Sequence, residues 1–209
     1  YELTKQTPVD GSYRVFGTEF AQFAKTDLDL RFYNVFNKKH SLVYRAYLGV
    51  AVPYGNSKSS GLPFIKKYFT GGANDIRAWQ VRTLGPGSYT STSIFNQMAD
   101  MKLTLNLEYR FDIVSFLEGA LFLDAGNIWA IDKRDDREGA LFRWDNFYKE
   151  IALGTGFGTR FDFSFFVIRF DFGIPIYNPS IVDDNPWLES FRPLKLNSFN
   201  FNFGIGYPF

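Results

Sequence analysis

Apolar and polar residues alternate along residues 103–111, which read Leu103-Thr104-Leu105-Asn106-Leu107-Glu108-Tyr109-Arg110-Phe111. Its odd positions are leucine, tyrosine or phenylalanine, and its even positions are threonine, asparagine, glutamate and arginine. A period of two is the period of a β-strand, because successive side chains point to opposite faces. The stretch therefore predicts a strand with one apolar face and one polar, charged face.

The same alternation recurs along the chain and predicts an all-β fold of about seven strands. We place these strands at about residues 19–35, 42–53, 102–112, 118–129, 151–162, 165–175 and 198–209. Their apolar faces are aromatic, since the 209 residues include 25 Phe and 12 Tyr. Their polar faces carry charges of both signs, namely Glu108, Arg110, Arg160, Asp162, Arg169 and Asp171.

Two environments give such strands. In a soluble sandwich the apolar face forms the core, whereas in a membrane barrel it meets lipid and the polar face lines the lumen. Long strands, aromatic faces and charges gathered on one face favour the barrel. The connections alternate as well, with short links at 37–41, 113–117 and 163–164 and long links at 54–101, 130–150 and 176–197. Outer-membrane barrels place short turns at the periplasmic end and long loops at the other.

The sequence therefore predicts a transmembrane antiparallel β-barrel in the bacterial outer membrane, with the C-terminus on the periplasmic side. An odd number of strands does not close a standard bacterial barrel. We therefore expect further strands before Tyr1 and interpret residues 1–209 as the C-terminal part of a single barrel domain. The complete barrel would be even-stranded, with about sixteen strands.

Composition argues against several other classes of function. The net charge of +1 lacks the basic excess of a nucleic-acid-binding protein. The chain has no cysteine and a single histidine, His40, which leaves little material for a zinc site or a Ser-His triad. We therefore expect no enzymatic activity, no metal, no cofactor and no nucleic-acid partner.

The link at 54–101 contains three motifs that together point to a family. They are Phe69-Thr70-Gly71-Gly72, Ile76-Arg77-Ala78-Trp79 and Leu84-Gly85-Pro86-Gly87. This order resembles the inward-folded loop of the BamA/TamA superfamily of outer-membrane assembly factors, in which Gly stands at the position of Ala78 and Phe or Tyr at that of Trp79. The stretches at 106–111, 122–129, 156–161, 168–175 and 203–209 resemble the strands of that family in the same order. The Arg-Ala-Trp tip is most similar to the TamL branch.

The resemblance implies a loop-docking site. The loop at 54–101 would fold into the lumen, where Arg77 would bind the acidic residues Glu108 and Asp124. An arginine guanidinium can hold two carboxylates through forked hydrogen bonds. The loop-motif residues carried over are Gly71, Gly72, Ile76, Ala78, Trp79, Gly85, Pro86 and Gly87.

The resemblance also implies a function, which is the insertion, assembly or translocation of client outer-membrane proteins through a lateral seam at the last strand. Outer-membrane lipid would surround the barrel, and a TamB-like periplasmic bridge protein would be a partner. The residues carried over for the seam and terminal strand are Phe203, Gly204, Gly206, Tyr207, Pro208 and Phe209, with Phe209 expected to face lipid. The alternative is a passive outer-membrane channel of the porin type, which would share the composition and the alternation.

Overall fold

The computed structural model describes residues 12–91, 93–181, 185–187 and 199–209. A small hairpin of β1 (Arg14–Val15) and β2 (Thr18–Glu19) precedes one antiparallel 7-stranded sheet, in which each strand pairs with the next along the chain. The all-β, antiparallel class predicted from the alternation is therefore confirmed. The strands of the sheet are β3 (Phe23–Asn37), β4 (His40–Pro53), β5 (Met101–Val114), β6 (Leu117–Trp129), β7 (Ala152–Asp162), β8 (Val167–Tyr177) and β9 (Asn200–Ile205).

Within the part of the chain that the structure describes, helical structure is confined to single turns in the long links. These are the α-helical turn Ser57–Ser60 and the 3-10 turns Phe64–Lys66 and Phe147–Glu150. Within the described ranges, no helix has the length and apolar character needed to cross a bilayer.

Two predicted strand ends are wrong. The first strand of the sheet begins at Phe23 rather than at residue 19, because Thr18–Glu19 pairs with the preceding hairpin strand instead. The last strand ends at Ile205 rather than at residue 209, because Gly206 has a φ of +86°, outside the extended region, and redirects the chain. The link predicted at 176–197 lies largely outside the described residues.

The two faces of the sheet have opposite exposure. Leu121 on β6 is 54% exposed, whereas the next residue, Phe122, is 3% exposed. Members of the exposed apolar face include Leu28, Phe32, Leu105, Leu123, Phe157, Phe201 and Phe203, and buried members of the polar face include Thr104, Asn106, Glu108, Asp124, Arg160, Arg169, Asp171 and Asn202. A soluble sandwich would bury its apolar side. The structure does the reverse, so the sandwich interpretation is wrong.

The link between β4 and β5 covers the polar face. Residues of this link pack with strand residues in two small apolar clusters, and these clusters lie between the loop and the sheet. The first consists of Ala51, Leu62, Tyr68, Ala99 and Ile128, and the second consists of Ile76, Ala78, Trp79, Leu84 and Ala152. The loop therefore acts as the second layer of the fold and removes most of the polar face of β4–β9 from solvent, whereas both faces of β3 stay exposed.

Candidate functional site

Arg77, at the tip of the loop, lies against the two carboxylates that the sequence singled out. Its Nε and Nη2 donate to the two oxygens of Asp124, each at 2.9 Å, and its backbone N–H donates to Oδ2 of the same carboxylate at 3.0 Å. Nη1 donates to Oε2 of Glu108. All three side chains are fully buried. The guanidinium carbon also lies 3.6 Å from the centre of the Phe122 ring. A cation–π contact therefore adds to the ion pairs that hold Arg77 in place.

Sequence reasoning did not predict that these ion pairs continue into a larger network across the polar face. Glu108 also accepts from Arg110 at 2.7 Å and from Arg160 at 3.1 Å. Asp171 on β8 links Arg160 and Arg169, each at 2.7 Å. The network as a whole consists of the carboxylates Glu108, Asp124 and Asp171 and the arginines Arg77, Arg110, Arg160 and Arg169. The alternation could have indicated this network, because it places most of these charged residues on the same face of the sheet.

Asp75 is a second anchor of the loop that sequence reasoning missed. Its carboxylate accepts from the N–H of Gly71, from Lys102 Nζ and from Thr104 Oγ1, each at 2.8 Å. Asn106 donates at 2.8 Å both to the carbonyl of Asp75 and to Asp124, and so connects the two anchors. Only proximity in the fold reveals this role, since Asp75 stands in an ordinary polar stretch of the sequence.

Glycines let the loop backbone approach itself and the strands closely. At Gly71, where φ is +91°, an added Cβ would lie 2.1 Å from the carbonyl oxygen of Gln80. At Gly173 on β8, an added Cβ would lie 2.5 Å from the carbonyl oxygen of Arg77. The methyl of Ala78 faces Gly154, and a Cβ added to Gly154 would lie only 2.5 Å from the Ala78 Cβ. Gly154 therefore provides the space for alanine at position 78, where the BamA/TamA superfamily has glycine.

The turn Gly85-Pro86-Gly87 fastens the far side of the loop to β6. Its Gly85–Pro86 peptide is cis. Asn127 Nδ2 donates to the carbonyl of Gly87 at 2.8 Å, and the Gly87 N–H donates to the carbonyl of Ile128 at 2.8 Å. The loop motif is thus tied to β6 at two places, the Arg77 tip and this turn.

Glu150, in the link between β6 and β7, lies beside that turn. Trp129 Nε1 donates to its Oε2 at 2.6 Å, and Asn146 donates to its Oε1 at 2.9 Å. Burial raises the pKa of the Glu150 carboxyl, although both hydrogen bonds oppose the shift. Across the described ranges, no group of three or more His, Cys, Asp or Glu is arranged to hold a metal ion.

The residues of the predicted terminal strand divide into two groups. Phe203 and Ile205 remain on the exposed apolar face, 55% and 72% exposed. Phe209 does not face lipid as expected: it is 6% exposed, and its ring centre lies 5.7 Å from the guanidinium carbon of Arg77. The reversal at Gly206 turns the tail onto the polar face. There, Tyr207 donates to Glu118 at 3.0 Å.

Comparison with known proteins identifies the family of the chain. Residues 4–209 match the Omp85 superfamily domain. The chain belongs to the Omp85 superfamily. The resemblance to BamA/TamA-type proteins is thus confirmed at superfamily level, and assignment to the TamL branch stays a prediction.

The similar proteins share little sequence identity with this chain and are longer than it. BamA, the outer membrane protein assembly factor of Neisseria meningitidis serogroup B, is 24% identical over 136 residues, which are 62% of this chain and 17% of that protein. The structure of Haemophilus ducreyi BamA lacking POTRA domains 1–3 superposes with a TM-score of 0.57 at 15% identity, covering 88% of this chain and 34% of that one. CdiB from Acinetobacter baumannii gives a TM-score of 0.47 at 14% identity, with coverages of 79% and 25%. The chain therefore spans only a minor part of the proteins that it matches.

Proposed function

We propose that this domain is part of an outer-membrane barrel that inserts, assembles or translocates client proteins through a seam bordered by β9. The proposal is carried by the loop-docking cluster of Arg77, Glu108 and Asp124, which is buried on the polar face of the sheet. The other face of the sheet is apolar and exposed. Membership of the Omp85 superfamily supports it.

The physical basis for a seam is the weakness of the last strand. It spans Asn200–Ile205, whereas its neighbour spans Val167–Tyr177. Gly204 adds no side-chain packing, and Gly206 ends the ladder. A short edge strand leaves backbone groups able to pair with an incoming strand. We propose that client strands pair at this edge, in the outer-membrane lipid, without catalysis and with a TamB-like bridge protein as the periplasmic partner.

A disulfide across the seam tests this function. One cysteine replaces Ile205 and the other is placed in the first strand of the complete barrel. These 209 residues contain no cysteine that would compete. Oxidation should abolish client assembly in vesicles, and reduction should restore it, while each single-cysteine variant stays active. Full assembly with the seam locked would reject the proposal.

A passive channel is the other function that this composition allows. The loop at 54–100 lies over the polar face and occupies space that an open pore would need. We therefore expect small, intermittent conductance in planar bilayers. A large, steady conductance would favour the channel instead.

A further inference from the structure

The last strand holds the tip of the loop through two amide side chains. Asn200 Nδ2 donates to the carbonyl oxygen of Arg77 at 2.9 Å, and Asn202 Nδ2 donates to the same oxygen at 2.8 Å. A carbonyl oxygen has two lone pairs, so these two bonds fill its acceptor capacity. Both asparagines lie on the polar side of the alternation in β9, which brings their amides to one point.

The opposite end of the same residue is bound to different strands. The backbone N–H and guanidinium of Arg77 bind Asp124 on β6, and Nη1 reaches Glu108 on β5. One loop residue therefore connects the edge strand of the sheet to two strands in its interior. Separation of β9 from the sheet would break the two asparagine bonds and leave the ion pairs of Arg77 intact.

The backbone of β8 makes this connection possible. The Arg77 carbonyl lies directly over Gly173, and any side chain there would push the tip away from the sheet. Arg169 on the same strand donates to the carbonyl of Ala73 at 2.8 Å and so steadies the approach to the tip. The tip thus crosses β8 and reaches β9 with its carbonyl aimed at the two amides.

We propose that Asn200 and Asn202 are positioning residues that couple the last strand to the docked loop and set the closed position of the seam. This inference rests on the proposed function only in naming β9 as the strand that moves. Both hydrogen bonds end on one buried oxygen, and each of them fixes the position of β9 relative to the tip of the loop. They give β9 a definite closed position, which its short ladder alone defines weakly.

Distances between spin labels test the coupling in the full-length protein, reconstituted in lipid nanodiscs and free of other reactive cysteines. One label pair joins Gln80 in the loop to Ile205 at the end of β9. A reference pair joins Gln80 to Leu121 on β6. All three positions are exposed. With both asparagines present, each pair should give one narrow distance distribution in double electron–electron resonance.

The double variant Asn200→Ala/Asn202→Ala should add a longer-distance population to the Gln80–Ile205 pair only. The Gln80–Leu121 distribution should stay narrow, because the ion pairs of Arg77 remain. The control Asn34→Ala removes an exposed asparagine from the opposite edge strand and should change neither distribution. If the double variant does not fold, Asn200→Ala alone keeps one donor and should give the same change at smaller amplitude.

Two results would overturn the coupling. An unchanged Gln80–Ile205 distribution would mean that the asparagines do not hold β9. Broadening of both pairs would assign the asparagines to loop docking in general. These distances need no client protein, so the coupling can fail while seam-dependent assembly stands, or hold while the locked-seam experiment rejects the function.

Discussion

The two faces of this sheet are built from the same strands but differ in which side chains they bury. On one face, phenylalanines and leucines such as Leu121 and Phe201 are more than half exposed, while on the other, Arg77, Glu108 and Asp124 have no exposure. A protein in water gains free energy by burying the first set and solvating the second. The inversion is stable only where lipid is the solvent for the apolar face and where each buried charge has a partner.

The largest effect is expected on the buried polar face. Arg77→Ala leaves Glu108 and Asp124 without their shared cation, and loss of one partner of a buried ion pair costs about 3–5 kcal/mol. Arg77→Lys keeps the charge but cannot form the forked bond to Asp124, so its loss should be intermediate. Thermal unfolding in detergent, followed by the gel shift of the folded barrel, measures both. An unchanged unfolding temperature in Arg77→Ala would contradict the docking role.

A charge placed on the exposed face should have the next largest effect. Leu121→Lys puts an ammonium group into hydrocarbon, which costs about 2–4 kcal/mol near the bilayer midplane. Leu121→Ala is the matched control and should cost far less. Unfolding by denaturant in lipid vesicles compares the two. Equal stability of the lysine and alanine variants would mean that this face does not meet lipid.

A smaller effect is expected where the loop meets the sheet without any charge. Gly173→Ala forces a methyl against the Arg77 carbonyl, and overpacking of this kind costs about 1–3 kcal/mol. Gly204→Ala is a comparison variant, because its added methyl would meet the end of the Arg169 side chain rather than a backbone atom. Thermal unfolding should rank Gly173→Ala as the less stable variant. The reverse ranking would show that the tip does not rest on β8.

Sequence patterns predicted these faces because alternation reports directly which side chains share a side of a strand. The Arg77, Glu108 and Asp124 cluster also came from sequence, through the order of motifs rather than through spacing. Asp75 was missed because its partners, Lys102 and Thr104, belong to another strand and are brought near only by the folded loop.

The end of the chain shows where the pattern misleads. Alternation continues through Tyr207 and Phe209, so the sequence favours an unbroken strand. The conformation of Gly206 ends the strand and sends Phe209 onto the polar face. Period-two patterning carries no information on whether the backbone stays extended, and a glycine permits either outcome.

The smallest effect is expected outside both faces, at Glu150. Because burial raises its pKa in the folded state, the folded protein binds the proton more tightly than the unfolded chain does. Its contribution to stability should therefore be greatest below the ordinary glutamate pKa and should fall as the pH rises through the raised value. Glu150→Gln should remove this part of the pH dependence in denaturant titrations. An identical pH profile for the two proteins would refute the assignment.

The inverted faces require that lipid contacts the apolar face and that the docked loop covers the polar one. Spin labels placed one at a time along residues 103–107 of β5, in lipid vesicles, test this requirement through collisions with oxygen and with a water-soluble nickel chelate. We expect labels at Leu103, Leu105 and Leu107 to collide with oxygen but not with nickel, and labels at Thr104 and Asn106 to collide with little of either. Strong nickel collisions at the leucine positions, or no alternation along the strand, would contradict it.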